Sequence, residues 1–371
     1  MNKGIENIHM DFYGFTLLLR WILGWFIQPK LNFLAEERTQ LDFSVIIPAR
    51  NEEKSLPRLL KSIKDSNFQP VETIVVDDHS TDQTFQVAKS FGASVISAPE
   101  LEEGWTGKNF ALNTGIAYAK TELVLLIDAD VQVSNFAFEK LLANYKKNSG
   151  LISVQPFHQM SSFYERFASV FNLIGAIGAR LGEKNGLAFG PVMLFSKNDL
   201  SKIGGLEKVK SQILEDRALG LEFIKNNINV HTFIGKTDFK FQMYPEGIKS
   251  LIQGFTKNMA AGSAGISKLR WTLLFTWFSG LVAAAWELPF AFLAWPFTQT
   301  QPSMYQYILT IAYGIQFWIF VRKLGNFNWY LIFYPIMILF FLIVFFYSVI
   351  KTWQGKVIWK DRVLDAKKGL K

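Results

Sequence analysis

The chain has 371 residues, half of them hydrophobic, with 35 Phe, 11 Trp and a formal charge of +8. This length admits one large globular domain with extra segments, or two small domains, and the composition is more apolar than a soluble enzyme of this size requires. The absence of cysteine excludes disulfides, thiolate metal sites and cysteine nucleophiles, and four scattered histidines argue against a multi-histidine zinc site.

The basic residues form no single stripe of the kind that binds nucleic acid. Lys268, Arg270, Arg322, Lys323 and the tail from Lys351 flank apolar runs instead, a placement suited to anionic membrane lipids.

Phe12 to Ile27 is apolar except for Arg20, and no small-residue cleavage site follows it. It reads as an anchor helix within residues 1–34, short for a full span, with Arg20 snorkelling or facing protein. Residues 35–42 form a polar linker. From Phe43 short β-branched runs alternate with helical stretches: Phe43–Pro48 as strand, Glu53–Ser66 as helix, Val71–Val76 as strand, Thr81–Phe91 as helix, then strands at Ser94–Ser97 and Leu123–Ile127. This alternation predicts an α/β fold with a mainly parallel, doubly wound sheet, whose ligands bind beyond the carboxyl ends of the strands. Phe163 to Leu181 is amphipathic and suits either a membrane-interface helix or a packing helix.

Three further apolar stretches, Trp271–Pro296, Met304–Val321 and Trp329–Ile350, are each about long enough to cross ~30 Å of hydrocarbon. They assign residues 270–351 to transmembrane helices and 352–371 to a basic tail. Three crossings would put that tail opposite the catalytic domain, whereas the positive-inside rule places both in the cytoplasm. One stretch is therefore expected to be re-entrant or a bent hairpin, and Glu287 and Pro289 make the first a candidate.

The residues that carry chemistry follow the strands. Asp128-Ala-Asp130 closes the strand at Leu123–Ile127, and its carboxylates suit a hard divalent cation, Mg²⁺ or Mn²⁺, bridging a diphosphate. Two solvated turn aspartates are the simpler reading. Pro48-Ala-Arg50-Asn-Glu52-Glu follows the first strand and Asp77-Asp78-His-Ser-Thr-Asp82 the second, on the edge where a nucleotide would sit. An acid-rich helix cap accounts for part of the second run. Lys108, in Gly104-Trp-Thr-Gly-Lys, stands at a helix start where it can neutralise phosphate, though an exposed loop lysine would look the same. Asp216, beside Glu215 in a helix predicted over Ile213–Asn227, can serve as general base or merely complement the helix dipole. Gln253, Lys257 and the run Ala260–Gly265 stand where a lipid acceptor would enter.

Taken together, Pro-Ala-Arg-Asn-Glu-Glu, Val-Asp-Asp-x-Ser-Thr-Asp, Gly-Lys-x-x-Ala-Leu-Asn-x-Gly, Asp-Ala-Asp and Glu-Asp resemble family 2 glycosyltransferases of GT-A fold, over about Phe43 to Gly265. Phe189-Gly-Pro-Val-Met-Leu-Phe with Ile203-Gly-Gly205 looks like that family's acceptor-side strand and turn. Leu151–His158, Phe163-Tyr-Glu, Met243-Tyr-Pro-Glu-Gly247, Thr256-Lys257 with Ala261-Gly262, and Trp359-Lys-Asp-Arg362 are more similar still to the bacterial diaponeurosporenoate glycosyltransferases within it. The resemblance implies a UDP-sugar donor, transfer of glucose to the carboxylate of a C30 carotenoid acid, Asp78 at base and ribose, Asp128 and Asp130 at the metal, and Asp216 as base. It implies a GT-A catalytic domain over 43–265, an inverting displacement and a lipid acceptor at the cell membrane. The Gln-x-x-Arg-Trp motif of processive synthases is not present, which sets polysaccharide synthesis behind lipid glycosylation. A carboxylic acid is already ionised at pH 7 and hardly needs a base, so Asp216 keeps a hydroxyl-bearing glycerolipid or polyprenoid in play as acceptor. A membrane scaffold carrying a degenerate fold would be expected to have lost these carboxylates.

Overall fold

A computed structural model describes residues 11–30, 32–212, 214–260, 266–298, 301–328, 334–354, 357–359 and 362–364. The run at 261–265 and most of the basic tail, including Lys356, Lys360, Lys367, Lys368 and Lys371, lie outside the described residues. In chain order the elements are α1 (Phe12–Ile27), β1 (Phe43–Ala49), α2 (Leu56–Lys64), β2 (Glu72–Asp77), α3 (Thr84–Ser90), β3 (Ser94–Ser97), α4 (Gly107–Tyr118), β4 (Leu123–Ile127), β5 (Val131–Val133), α5 (Ala137–Asn148), β6 (Leu151–Gln155) and β7 (Phe157–His158). They continue as α6 (Ala168–Gly178), β8 (Val192–Ser196), α7 (Lys197–Lys202), α8 (Glu215–Lys225), β9 (Val230–Ile234), β10 (Phe239–Phe241), α9 (Ile248–Ala260), α10 (Lys268–Thr298), α11 (Met304–Val321), α12 (Tyr334–Trp353), β11 (Val357–Trp359) and β12 (Arg362–Leu364).

Seven strands form one sheet in the order β3-β2-β1-β4-β8-β6-β9. β1 pairs in parallel with β2 and β4, and β2 with β3, so β1, β2 and β4 end on one edge. Only β8 runs against its neighbours, β4 and β6. The unbroken apolar runs of β1 and β4 are what burial on both faces demands. α2 sets Leu56, Leu59, Leu60 and Ile63 against one face, and α4 sets Phe110, Ala111 and Leu112 in the core on the other. A smaller sheet, β5-β10-β7, forms where the chain turns after Asp128.

α3, α5, α7 and α8 also pack on the large sheet, and the apolar helices make a second layer. α10, α11 and α12 are each long and apolar enough to cross a membrane, and α1 is a shorter apolar helix packed on α10 and α11. Gln316, fully buried in α11, accepts from Trp277 Nε1 at 2.9 Å and donates to the Trp21 carbonyl at 2.7 Å, tying three helices with one amide. Gly24 permits the close crossing, since a Cβ there would lie 2.5 Å from the Trp277 indole nitrogen.

One expectation is corrected here. The first apolar stretch does not turn back at Glu287 and Pro289: α10 runs through both Pro289 and Pro296 as one helix of 31 residues. In a bundle, neighbouring helices can re-satisfy backbone groups that proline frees, whereas a chain reversal would expose many more of them. One turn of helix before Pro289, the Thr310 hydroxyl donates to the Ala284 carbonyl at 3.1 Å. The third stretch is the one with both flanks toward the sheet. Before it, Asn326 N donates to the His158 carbonyl at 3.0 Å; near its start, Tyr334 reaches the Thr310 carbonyl well along α11; near its end, Ser348 Oγ donates to Thr256 in α9 at 2.9 Å. Phe163–Leu181, open between two roles in the sequence, takes the packing one. α6 is buried against α10, α11 and α12, so it is a packing helix rather than an interfacial one.

His158 sits at the seam of the two layers. It is wholly buried, its Nδ1 lies 3.0 Å from Asn172 Nδ2, and burial pushes its pKa down to about 3. A histidine held neutral when folded takes up a proton on unfolding, so the stability it permits is present above the unfolded value of about 6.5 and falls as pH drops toward about 3. We expect acidification from pH 7 to 5 to lower stability by about 2 kcal/mol through this group. Thermal unfolding in detergent should show that slope shrinking in a His158→Gln variant.

Candidate active site

The loops after β1 and β2 are stitched together by polar side chains. Asn51, at φ 53°, accepts from Thr81 N at 2.9 Å through its side-chain oxygen and donates its own N–H to Ser80 Oγ at 3.0 Å. Glu52 N donates to Thr84 Oγ1 at 2.7 Å, and Glu53 and Asp82 exchange bonds with each other's loop. Burial would raise the Asp82 carboxyl, but the Thr84 hydroxyl and backbone N–H groups hold it below the usual range. Asp82 of the acid-rich run serves this clasp and also accepts from Thr84 N at the start of α3, at 3.0 Å. Asp78 remains buried on the cavity wall beside Pro48, Arg50 and Glu52, with Arg50 Nη1 donating to its carbonyl at 2.8 Å.

Lys108 lies in the first turn of α4, where Thr106 caps the helix and Asn109 pins it to the carbonyls of Val209 and Lys210. Its Nζ stands 2.8 Å from Asp128 Oδ1 and 2.9 Å from Glu215 Oε1. Burial would lower this lysine, but Asp128 and Glu215 hold it well above its ordinary range. Burial likewise favours the neutral form of Glu215, and Lys108, with Lys257 next, overrides it. The sequence had Lys108 on phosphate and Asp128 on a metal; the structure joins the two and adds Glu215, to which no role had been given.

Asp216 opens α8 next to that pair and is half-buried. Its Oδ2 accepts from Gly190 N at 2.6 Å and its Oδ1 from Arg217 N at 2.8 Å. Burial, then the neighbouring Glu215 charge, raises its pKa, which is the direction a proton acceptor needs. Gly190 matters because a Cβ there would stand 3.2 Å from the carboxylate.

Asp128, Asp130, Asp216 and Asp78 all face one cavity of about 550 Å³, whose membrane-side wall is Tyr244 with Gln253, Lys257 and Asn258 of α9. Tyr244 adopts φ 56° and fits because Gly254 has no side chain: a Cβ there would fall 2.2 Å from the ring. Burial and the nearby Asp130 raise the Tyr244 pKa. Tyr244 and Gly190 escaped the sequence reading as site residues, since neither carries a local signal beyond the Met243–Gly247 likeness. Among the described residues no cluster of three or more His, Asp or Glu forms a ready metal cage.

Known proteins resemble this chain in sequence and in fold. The model named "Glycosyl transferase family 2" matches residues 44–204. Over 332 residues the chain is 35% identical to 4,4'-diaponeurosporenoate glycosyltransferase of Staphylococcus aureus (strain USA300), covering 86% of this chain and 87% of that protein. The same enzyme of strain bovine RF122 / ET3-1 is 35% identical over 333 residues, with equal coverage. Among solved structures, the mannosyltransferase PcManGT from Pyrobaculum calidifontis, in complex with GDP-Man and Mn²⁺, superposes with TM-score 0.54 at 18% identity, covering 93% of this chain and 96% of that one. That likeness establishes the fold alone, the GT-A arrangement expected from the motifs.

Replacing Lys108 with Met leaves Asp128 and Glu215 facing each other without their cation. We expect a loss of about 2–4 kcal/mol at pH 7–8. Part should return as pH falls and Glu215 takes up a proton, and Lys108→Met/Glu215→Leu should recover part at all pH; unfolding measured across pH 5–8 tests both.

Proposed function

Because the chain belongs to glycosyltransferase family 2, and so is a glycosyltransferase, we propose that it transfers glucose from UDP-glucose to the carboxylate of a long-chain carotenoid acid at the membrane, with inversion. The observation that carries this reading is the meeting of Asp78, Asp128, Asp130 and Asp216 on one cavity at the strand ends, walled on its far side by a helix that packs on the apolar layer. The acceptor class comes from the extended similarity to the diaponeurosporenoate enzymes. The cavity edge at Pro48, Arg50, Glu52 and Asp78 receives the uracil and ribose, with the Asp78 carboxylate suited to a base or sugar donor group.

Two carboxylates two residues apart, in a cavity with no complete cage among the described residues, fit a Mg²⁺ or Mn²⁺ ion that takes its remaining oxygens from the diphosphate and water. Asp128 and Asp130 would hold it. When bound, the ion neutralises negative charge on the leaving diphosphate. Lys108, poised between Asp128 and Glu215, lends a second positive charge to the same end of the cavity.

In the displacement an acceptor oxygen bonds to the anomeric carbon as the bond from that carbon to the diphosphate oxygen breaks, and the nucleoside diphosphate leaves with the electron pair. A carboxylate acceptor releases no proton. A hydroxyl acceptor must give one up, and Asp216 is the group set to take it. Its raised pKa and fixed orientation therefore favour a second reading, transfer to a hydroxyl-bearing glycerolipid or polyprenoid.

The approach and the end of α12 both lie toward the sheet, which supports a multi-pass enzyme with its site and basic tail on the cytoplasmic side. Sugar nucleotides are made on that side, in keeping with the basic flanks.

Membranes holding the protein, given radiolabelled UDP-glucose and lipid extract, should yield metal-dependent label in an organic-soluble product. Asp130→Asn should lower that rate about a hundredfold or more, and mild alkali should release the sugar if the product is an ester. No labelled lipid from any common nucleotide sugar would remove the assignment. Asp216→Asn should slow transfer to an alcohol by about 10²–10⁴ and affect transfer to an acid far less, as rates on matched acceptors would reveal.

A further inference from the structure

α9 separates the cavity from the apolar helices, and its two sides are chemically different. Leu251 and Phe255 are buried, with the Phe255 ring stacked on Phe171 at 4.1 Å. Ser250, Gln253 and Lys257, spaced i, i+3 and i+7, line the cavity on the other side. Thr256, the residue before Lys257, is buried and its carbonyl accepts the Ser348 hydroxyl of α12 at 2.9 Å. The lysine is thus presented to the reaction cavity by a helix fixed to the membrane layer.

The cavity it enters is dominated by carboxylates. Its cations include Arg50, whose Nη1 donates to the Asp78 carbonyl, and Lys108, bridged between Asp128 and Glu215, and Lys257 too stands within electrostatic reach of Glu215 and Asp128. A neutral alcohol can approach such a lining without penalty, whereas an anionic acceptor is repelled by it unless a positive charge meets the incoming group.

We propose that Lys257 is the acceptor's counter-ion: it fixes the carboxylate of the membrane-borne acid within reach of the anomeric carbon and makes the enzyme prefer acids to alcohols. This assignment rests on the carboxylate reading of the acceptor given above. Burial holds the Lys257 ammonium below the usual lysine range in spite of Glu215, so a further carboxylate beside it would be welcome rather than redundant. Gln253, one turn earlier on the same face, is placed to donate a hydrogen bond to the acid's second oxygen.

The test uses the full chain in membranes or nanodiscs, with a long-chain polyene acid, its primary alcohol and its methyl ester as probes, and with acceptor and donor varied separately. Lys257→Gln should raise the KM for the acid about tenfold or more while leaving the KM for UDP-glucose within about twofold, and should erase most of the acid-over-alcohol preference. Lys257→Arg should restore much of it, and in the wild type the free acid should compete far better than its ester. Donor binding by each variant, measured by calorimetry, reports whether the site still folds; if Lys257→Gln does not bind donor, Lys257→Arg and the acid-versus-ester competition decide. A raised donor KM with an unchanged acid KM would reassign Lys257 to the diphosphate. A wild type that takes the acid, with a preference indifferent to Lys257→Gln, would overturn this inference alone. A wild type that glycosylates only alcohols would overturn the carboxylate reading, and the inference with it.

Discussion

A lysine ammonium held between two carboxylates on the cavity wall is the constraint on which the catalytic edge depends. Lys108 stands in α4, Asp128 directly after β4 and Glu215 in α8, so the cluster joins two consecutive elements to a third that is distant in sequence. Each charge is expensive to bury alone, so the cluster is stable only when all three elements are in register. That requirement fixes the first turn of α8, and with it the Asp216 carboxylate against the Gly190 N–H at 2.6 Å. It also fixes the strand end from which Asp130 projects. The chemistry of the cavity and the packing of the sheet are in this sense one problem with one solution.

The helical layer solves its own polar problem differently. Lipid offers no partner for an indole N–H or an amide, so Trp277, Gln316 and the Trp21 carbonyl satisfy one another inside the bundle. Glycines at 24 and 280 bring the backbones near enough for these bonds to form. α1 belongs to this layer although 240 residues of chain separate it from α10, and Arg270 Nη2 closes the junction by donating to the Ile27 carbonyl at 2.9 Å.

Much of this was legible in the sequence because it is local. β-branched runs gave β1 and β4, and the apolar windows gave α1 and α11 with the bounds later observed. The motifs after the strands were legible for the same reason, since a parallel sheet brings strand ends to one edge whatever the order. What escaped was non-local. Nothing near Val192 announces that β8 runs against its neighbours, and nothing near Lys108 names Glu215 as its partner. Tyr244 depends on the absence of a side chain ten residues later, at Gly254. The course of α10 escaped for a different reason: proline disrupts an isolated helix and a carboxylate is costly in hydrocarbon, but within a bundle the cost of exposed backbone outweighs them.

The placement of α12 bears on how the chain is assembled. Its approach, at Asn326, bonds to β7 at His158, and toward its end Ser348 bonds to α9, the helix that walls the cavity. α10 and α11 can enter the bilayer during synthesis as an ordinary helical hairpin. α12 emerges later, and its partners in α9 and α6 belong to chain already made. It is a closing piece, one that seats against surfaces already made, α9 of the cavity wall among them.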